Sequence, residues 1–588
     1  MDADLDIDRT GLVPNHGGPN VLPAFALFSR LLRFASRHNR IAITDGTTGY
    51  HASHIQLLTD ILHLRNVLEE SLHPQVFSRL QIQHEGPGQE VFVNIIASAG
   101  YEFAVAMLAV LAAGAVPVPL AIQSLTMDTL RLLAPGVPLQ EACYFANKSR
   151  ADAVLASSTS LQTGRSLEEA INQTTNANFK CIEIEPHIYQ KPLQPTDIVI
   201  SSNLALDLNG AGLVIFTSGT TGPPKGVVMR RSNFIDSADE IADHYGLGLD
   251  DAVLHLMPVH HAAGIGLSFS PFLYAGARVE FRSGSFNPAQ LWQRWREGGL
   301  TFFTGVPTMY ARLMQYFETH LSKLPSAQLN EYLTGLRSMR GLLCGTSALP
   351  LPLQEKWVKL TGGMRLLTRY GATEFGPVFK MPCTASDAPM DSVGTLTPGV
   401  EVKLSEGDEG EILARTPFMF SRYLFDPVAT ANAHDADGYF KTGDIARKVG
   451  PYYFILGRQS TDIIKSGGYK ISTLDVEREL LSLNYIGEAM VVGVDDAEFG
   501  QRTAAVVTLN QNWPDPSKQL TLEKIRRDLR DRLSSYKLPT LLRVVHDLPK
   551  TATGKVSKKI LGPQLFPKNG HRDIQIWSSA KPALASKL

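Results

Sequence analysis

Short runs rich in Val, Ile and Leu alternate with stretches of helical periodicity through much of this chain, and that alternation limits its fold more than any other feature. EVFVNIIAS (90–98), ADAVLASS (151–158), GLVIFTS (212–218) and TFFTGVP (301–307) are clear examples. Continuous apolar runs of this length are strands covered on both faces. Strands separated by helices re-enter a sheet in the same direction, so the pattern predicts mostly parallel sheets flanked by helices.

Around residue 400 the texture changes. GDEGEILARTP (407–417), DGYFKTGDIARKV (437–449) and PYYFILGR (451–458) read as compact strands between Gly and Asp turns. After Arg458 it is mixed again: DVERELLSL (475–483) is an amphipathic helix, EAMVVGVDD (488–496) a strand, and LEKIRRDLRDRLSS (522–535) a charged surface helix. The expected organisation is α/β. A large N-terminal unit of doubly wound sheets covers residues 1–456, with a β-rich subdomain at about 395–456. A small α+β lid covers 457–567, and a flexible tail covers 568–588.

Charge and cysteine content exclude several classes. Lys and Arg total 56 against 57 for Asp and Glu, a net charge of −1, so no broad positive field exists to hold nucleic acid. The four cysteines form no CxxC pair, which leaves no basis for a disulfide framework or a structural zinc site. Phe103 to Ile122 is uncharged and long enough to span a bilayer, but Gly114, Pro117 and Pro119 divide it. It reads as a buried helix, AVAMLAVLAA, leading into a buried strand, AVPVPLAI, with no transmembrane segment expected. The amino-terminal MDADLDIDRTGL is too acidic for a secretory or mitochondrial leader.

The sharpest chemical feature is LVIFTSGTTGPPKGVVM. After a buried strand come Thr217, Ser218, Gly219, Thr220, Thr221, Gly222, Pro223, Pro224 and Lys225. Hydroxyls and glycines bring backbone and side-chain donors close to phosphate oxygens, and Lys225 adds a positive charge. It is not a Walker loop: the glycine spacing differs, two prolines lack N–H donors, and Gly226 rather than Ser or Thr follows the lysine.

With this loop, four further motifs in the same order carry a resemblance to the adenylate-forming superfamily of acyl-CoA synthetases, luciferases and peptide-synthetase adenylation domains. They are RYGATEFG (369–376), YFKTGDIA (439–446), ILGRQSTDIIKSGGYKIS (455–472) and PKTATGKVSKK (549–559), and the resemblance runs from about Arg30 to about Leu561. It implies an acid–CoA ligase that uses ATP and Mg²⁺ to make an acyl-adenylate, releases pyrophosphate, and passes the acyl group to coenzyme A. By the same resemblance Lys555 is the adenylation lysine, Glu374 the Mg²⁺-linked carboxylate and Thr373 an α-phosphate contact. Tyr370 and Gly371 lie against the adenine, and Asp444 and Arg458 bind the ribose and phosphates. Lys465, Gly467 and Gly468 line the path of the thiol arm, with a hinge near 459–462 about which the lid turns. Arg458 and Lys465 are seven residues apart where the common form has six, so Ser460, Thr461 and Asp462 all remain candidates for the pivot.

Within the superfamily, MYARLMQYFETHL (309–321) and GTSALPLPLQEKW (345–357) resemble the malonyl- and methylmalonyl-CoA synthetases. A dicarboxylate needs a buried cation for its distal end, for which Arg340 is the candidate, and His260 or His261 would line the acyl pocket. Ala263 and Pro377 make that pocket less polar than in those enzymes, so a short or medium-chain substituted acid of a specialised pathway is the competing substrate. An acyl-AMP ligase, a luciferase-type oxygenase and a non-catalytic ligand-binding relative are the rival classes.

Ser586, Lys587 and Leu588 form the tripeptide read by the peroxisomal import receptor, with the cytosol as the alternative location. A fluorescent protein fused to the amino end is expected in peroxisomes, and one appended after Leu588 in the cytosol. Peroxisomal import of the appended form would remove any role for the tripeptide.

Overall fold

The computed structural model describes residues 12–13, 18–81, 89–120, 137–175, 178–217, 223–284, 286–384, 388–510, 513, 519–550, 556–567 and 569–577. Ser218 to Gly222, Lys555 and the tripeptide at 586–588 lie outside these.

The largest sheet has nine strands. Its centre is a parallel ladder in the order Leu366–Ala372, Gly341–Cys344, Phe302–Gly305, Ala252–His255, Arg278–Phe281, Ile41–Asp45. Antiparallel strands close both edges, Gly376–Lys380 beside the first and Tyr50–Ser53 beside the last. A second sheet of four parallel strands runs Val116–Pro119, Phe92–Ile96, Ala153–Ala156, Lys180–Glu183. Side chains of the ladder strands are buried almost throughout, as a sheet covered by helices on both faces requires. On one face of the large sheet Trp292, Trp295 and Trp357 pack together, with the rings of Trp292 and Trp357 parallel at 6.1 Å and both indole N–H groups bonded to backbone carbonyls.

The apolar stretch from Phe103 resolves into helix Tyr101–Ala112 and strand Val116–Pro119, and no described helix is long and apolar enough to cross a membrane. Ala211–Thr217 departs from the parallel pattern. It pairs antiparallel with Lys225–Arg230, bringing Thr217 opposite Lys225. After Pro223 and Pro224 the next apolar run, KGVVM, folds back as a strand rather than opening a helix.

Residues 401–458 form a four-stranded antiparallel sheet, and the chain then enters a six-stranded sheet of its own beginning with Ile463–Ser466. Helix Thr473–Leu481 is capped by Ser472, whose hydroxyl accepts from Asp475 N at 3.2 Å. Helix Leu522–Leu529 buries Leu522, Ile525 and Leu529 as one stripe and stops short of the charged run that follows. Residues up to Trp577 belong to this unit rather than to a tail. Gln575–Ile576 pairs with Leu541–Val544, and the Arg526 guanidinium lies 4.3 Å from the Trp577 ring centroid.

Two histidines are sealed in the core. His54 bonds Arg40 O through Nδ1 and His255 bonds Gly264 O through Nε2, while the second ring nitrogen of each has no partner. Burial lowers both from 6.5 to about 4, so the folded chain holds them neutral. The unfolded chain protonates them near 6.5, so their contribution to stability is complete above that pH and is lost as pH falls toward 4. Denaturant midpoints are therefore expected to be flat from pH 7 to 8 and to fall steeply between 6.5 and 4, with His54→Gln and His255→Gln each making the fall shallower.

Candidate active site

A cavity of about 660 Å³ opens where the carboxyl ends of both parallel ladders meet. Each wall is the segment that follows a strand. Met257 to His261 follow Ala252–His255, Arg282 to Phe286 follow Arg278–Phe281, Val306 to Arg312 follow Phe302–Gly305, and Thr346 follows Gly341–Cys344. The smaller sheet adds Ala97 to Ala99, Leu120 and Ser160. This is where open parallel sheets bind ligands, because the strand ends leave a crevice there. The lid reaches the same space through Lys550, which pairs with Glu488.

The lining is apolar at Leu256, Met257, Val259, Val306, Met309 and Phe286, and the residues described there include no Asp or Glu. Arg282 lies 3.8 Å from Glu280, but Arg294 already holds that carboxylate with two bonds of 2.6 and 2.7 Å. Arg282 Nε is buried without a hydrogen-bond partner, leaving a surplus cation at the wall. Arg312 bonds only weakly to Phe286 O, at 3.4 Å, and its guanidinium stands 5.0 Å from the Phe286 ring centroid. His260 and His261 both line the cavity. Burial lowers His260 from 6.5 to about 4, so it is neutral and brings no charge at pH 7. Thr346 holds a left-handed backbone, φ +71°, in the same wall.

Beside the cavity, strand Leu366–Ala372 turns back into Gly376–Lys380, and the tip between them carries Thr373 and Glu374. The turn is tight. A Cβ on Gly371 would come within 2.2 Å of Gly376 O, and Gly376 itself sits at φ +66°. Tyr370, half-buried and stacked on Phe379, donates its hydroxyl to Asp444 Oδ2 at 2.8 Å. The register of the four-stranded sheet sets Asp444 opposite Arg458. Arg458 Nε and Nη2 reach the two carboxylate oxygens at 2.8 and 3.2 Å, and this pairing raises the guanidinium above its ordinary value.

Burial raises Glu374 despite the hydroxyl of Tyr423, which donates to its Oε1 at 3.1 Å, and despite Arg458 nearby. Lys225 faces Thr217 across the hairpin, and its ammonium stands 4.9 Å from the centroid of that same Tyr423 ring. Tyr370, Glu374, Asp444, Arg458 and Lys225 are thus gathered from segments distant in sequence.

Four sequence candidates lie elsewhere. Arg340 does not line the cavity; it is bound to Asp251 Oδ2 at 2.5 Å and to two carbonyls, so its charge is already neutralised. Lys465, Gly467 and Gly468 form a lid strand and its turn, with Gly467 and Gly468 at φ +54° and +85°. Tyr423, Arg282 and Arg312 were not singled out from sequence. Tyr423 sits in a segment that reads as loop, and each arginine looks like an ordinary strand or helix end. Lys558, which composition assigns to an exposed basic face, is buried between Asp462 and Glu477 at 2.7 and 2.8 Å and bonds Thr473 as well.

Burial would raise Asp462, but the Lys558 ammonium and the Arg458 N–H hold it below its usual range. Lys558→Met would leave two buried carboxylates facing each other without a cation, a loss of about 3–5 kcal/mol. Thermal unfolding and hydrogen exchange are expected to show that loss in residues 463–577 and not in the large sheet.

Two family models match the chain, "AMP-binding enzyme" over residues 78–424 and "AMP-binding enzyme C-terminal domain" over 475–555. A CoA ligase of Gibberella moniliformis is 31% identical over 544 residues, covering 81% of this chain and 85% of that protein. A malonate–CoA ligase of Arabidopsis thaliana is 33% identical over 503 residues, covering 80% and 78%. Among solved structures, ATP-bound MatB from Rhodopseudomonas palustris superposes with a TM-score of 0.72 at 24% identity, over 91% of this chain and 98% of that one, so the fold is shared.

Proposed function

The chain belongs to the AMP-binding enzyme family, and from that membership we propose that it is an ATP-dependent, AMP-forming acid–CoA ligase. The observation that carries the reading is the carboxyl-end cavity, walled by cations and apolar groups with no carboxylate among the described residues, beside the Tyr370–Asp444–Arg458 cluster. A carboxylate substrate meets attraction there and no competing anion.

In the first step a carboxylate oxygen attacks the α-phosphorus of ATP and pyrophosphate leaves. In the second the thiolate of coenzyme A attacks the acyl carbon and AMP leaves. Both partners of the first step are anions, so positive charge at the forming bond is the main requirement. Lys225 and the hydroxyl-rich segment before it, outside the described residues, hold the phosphates, Asp444 accepts the ribose hydroxyls, Arg458 orients Asp444 and faces the phosphates, and Tyr370 lies along the base. Lys555, outside the described residues, supplies the moving charge. Lys465, Gly467 and Gly468 serve the thiol arm.

For Mg²⁺ the donor set is suitable. Glu374 offers a carboxylate, Thr373 is its neighbour, and the described residues contain no cluster of three or more ligands that would bind a cation alone. A hard cation that keeps few protein ligands and is otherwise bound by phosphate oxygens matches this arrangement. When bound it neutralises phosphate charge.

The acid carries a second anionic or strongly polar group, held by Arg282 and Arg312. Malonate-like dicarboxylates and longer ω-substituted acids both satisfy this in a chamber of about 660 Å³. Pyrophosphate release measured over an acid panel tests the reading. Dicarboxylates are expected to exceed monocarboxylates of equal length, and thioester is expected only with coenzyme A. Arg282→Met is expected to raise KM for the dicarboxylates about tenfold while sparing the monocarboxylates. No pyrophosphate from any acid would overturn the function, and equal losses on both acid classes would overturn the second-anion site.

A further inference from the structure

Tyr423 contacts both charged side chains assigned to phosphate handling, Lys225 through its ring and Glu374 through its hydroxyl. The side chain has little freedom. Arg422–Tyr423 pairs antiparallel with the strand that begins at Lys225, matching Val227 with Tyr423. Leu424 N bonds Gly226 O and Ser421 N bonds Val228 O, both at 2.7 Å, on either side of it. Gly226 permits this close approach, since a Cβ there would meet Leu424 Cβ at 3.0 Å. Tyr423 N donates to Thr430 Oγ1 at 2.9 Å, and the ring packs edge-on against Phe420 at 4.9 Å. The tyrosine is buried and its backbone fixed on both sides, so it holds the charged groups rather than following them.

Lys225 and Glu374 make no ion pair with each other although both touch this one ring. An ammonium and a carboxylate that met directly would neutralise each other and withdraw both from a phosphate and its cation. An aromatic ring presents its negative face to a cation and a phenol presents a proton to an anion, so one tyrosine satisfies both charges and keeps them apart.

We propose that Tyr423 is the positioning residue of the phosphate site, holding Lys225 on its ring face and Glu374 on its hydroxyl so that the two charges stay separate and available to the nucleotide. The proposal rests on the ligase reading. It separates into two parts: the hydroxyl serves Glu374 and hence the magnesium-dependent part of nucleotide binding, whereas the ring serves Lys225 and acts with or without the metal.

The test is calorimetric titration of ATP into the full chain, in EDTA and in Mg²⁺, for wild type, Tyr423→Phe, Tyr423→Leu, Glu374→Gln and the Tyr423→Phe/Glu374→Gln double variant. Tyr423→Phe is expected to bind ATP in EDTA within about twofold of wild type and to lose about tenfold of the tightening that Mg²⁺ brings. In the Glu374→Gln background the same change is expected to add less than about twofold, because the two act as a unit. Tyr423→Leu is expected to weaken binding about tenfold even in EDTA. In pyrophosphate exchange, Tyr423→Phe is expected to raise KM for MgATP more than it lowers kcat. A Tyr423→Phe protein that keeps the full Mg²⁺ response, or whose effect adds in full to that of Glu374→Gln, overturns the proposal. Should Tyr423→Leu fail to fold, the Tyr423→Phe cycle decides alone. A wild type that binds no ATP in either buffer overturns the ligase reading itself, and with it this inference.

Discussion

The parallel register of the central ladder is the constraint from which the site follows. Five neighbouring strands, from Leu366–Ala372 to Arg278–Phe281, run in one direction and end at one edge. Every connection that leaves them therefore starts at the same crevice. The smaller sheet brings its own strand ends to the opposite wall. No single stretch of sequence builds the cavity; the hydrogen-bond direction of buried backbone does. Loops anchored at a rigid edge can vary in side chain without losing place, and among the described residues they supply cations, the neutral His260 and apolar groups, and no carboxylate.

The junction between the large unit and the lid follows from side-chain anchoring in the same way. Arg458 is tied to Asp444, and Gln459 N bonds Gly443 O at 2.8 Å, so both belong to the large unit. Asp462 is tied to Lys558 and Thr473, both of the lid. Between these anchors lie Ser460 and Thr461. The bonds that cross the turn itself are Asp462 Oδ2 with Arg458 N and the Arg458 carbonyl with Asp462 N and Thr461 N. Further contacts join the two units beyond it: the Ser472 hydroxyl donates to the Leu456 carbonyl, Lys470 pairs with Glu406 and Arg478 with Asp391.

What could be read from sequence divides by the range of the interaction concerned. The buried strands, the split of the apolar run at Gly114 and the amphipathic helix at 475–483 all depend on neighbours a few residues apart, and all appear in the structure. Charge assignments failed where the partner is remote. Arg340 is claimed by Asp251, 89 positions away, and Lys558 by Asp462, 96 positions away. Composition shows four lysines close together near the carboxyl end, but only the fold decides that one of them is buried. The chain from residue 568 reads as tail because Gln575–Ile576 is too short to signal a strand, and its pairing depends on the edge of Leu541–Val544. Tyr423 was hidden for the same reason: its two partners lie in other motifs.

The electrostatics of the cavity further narrow what it can select. Lys550 brings its own counter-ion in Glu488, and His260 is held neutral by burial. The positive potential at the wall therefore comes from Arg282 and Arg312. Arg282 is partly open to solvent and Arg312 is exposed, so water reaches both charges until a ligand covers them. On the ligase reading, a simple fatty acid would meet only the apolar walls, whereas an acid with a second charged or polar terminus would also pair with Arg282 and Arg312. Selectivity of that kind would rest on a charge-assisted hydrogen bond rather than on the fit of a few methylene groups.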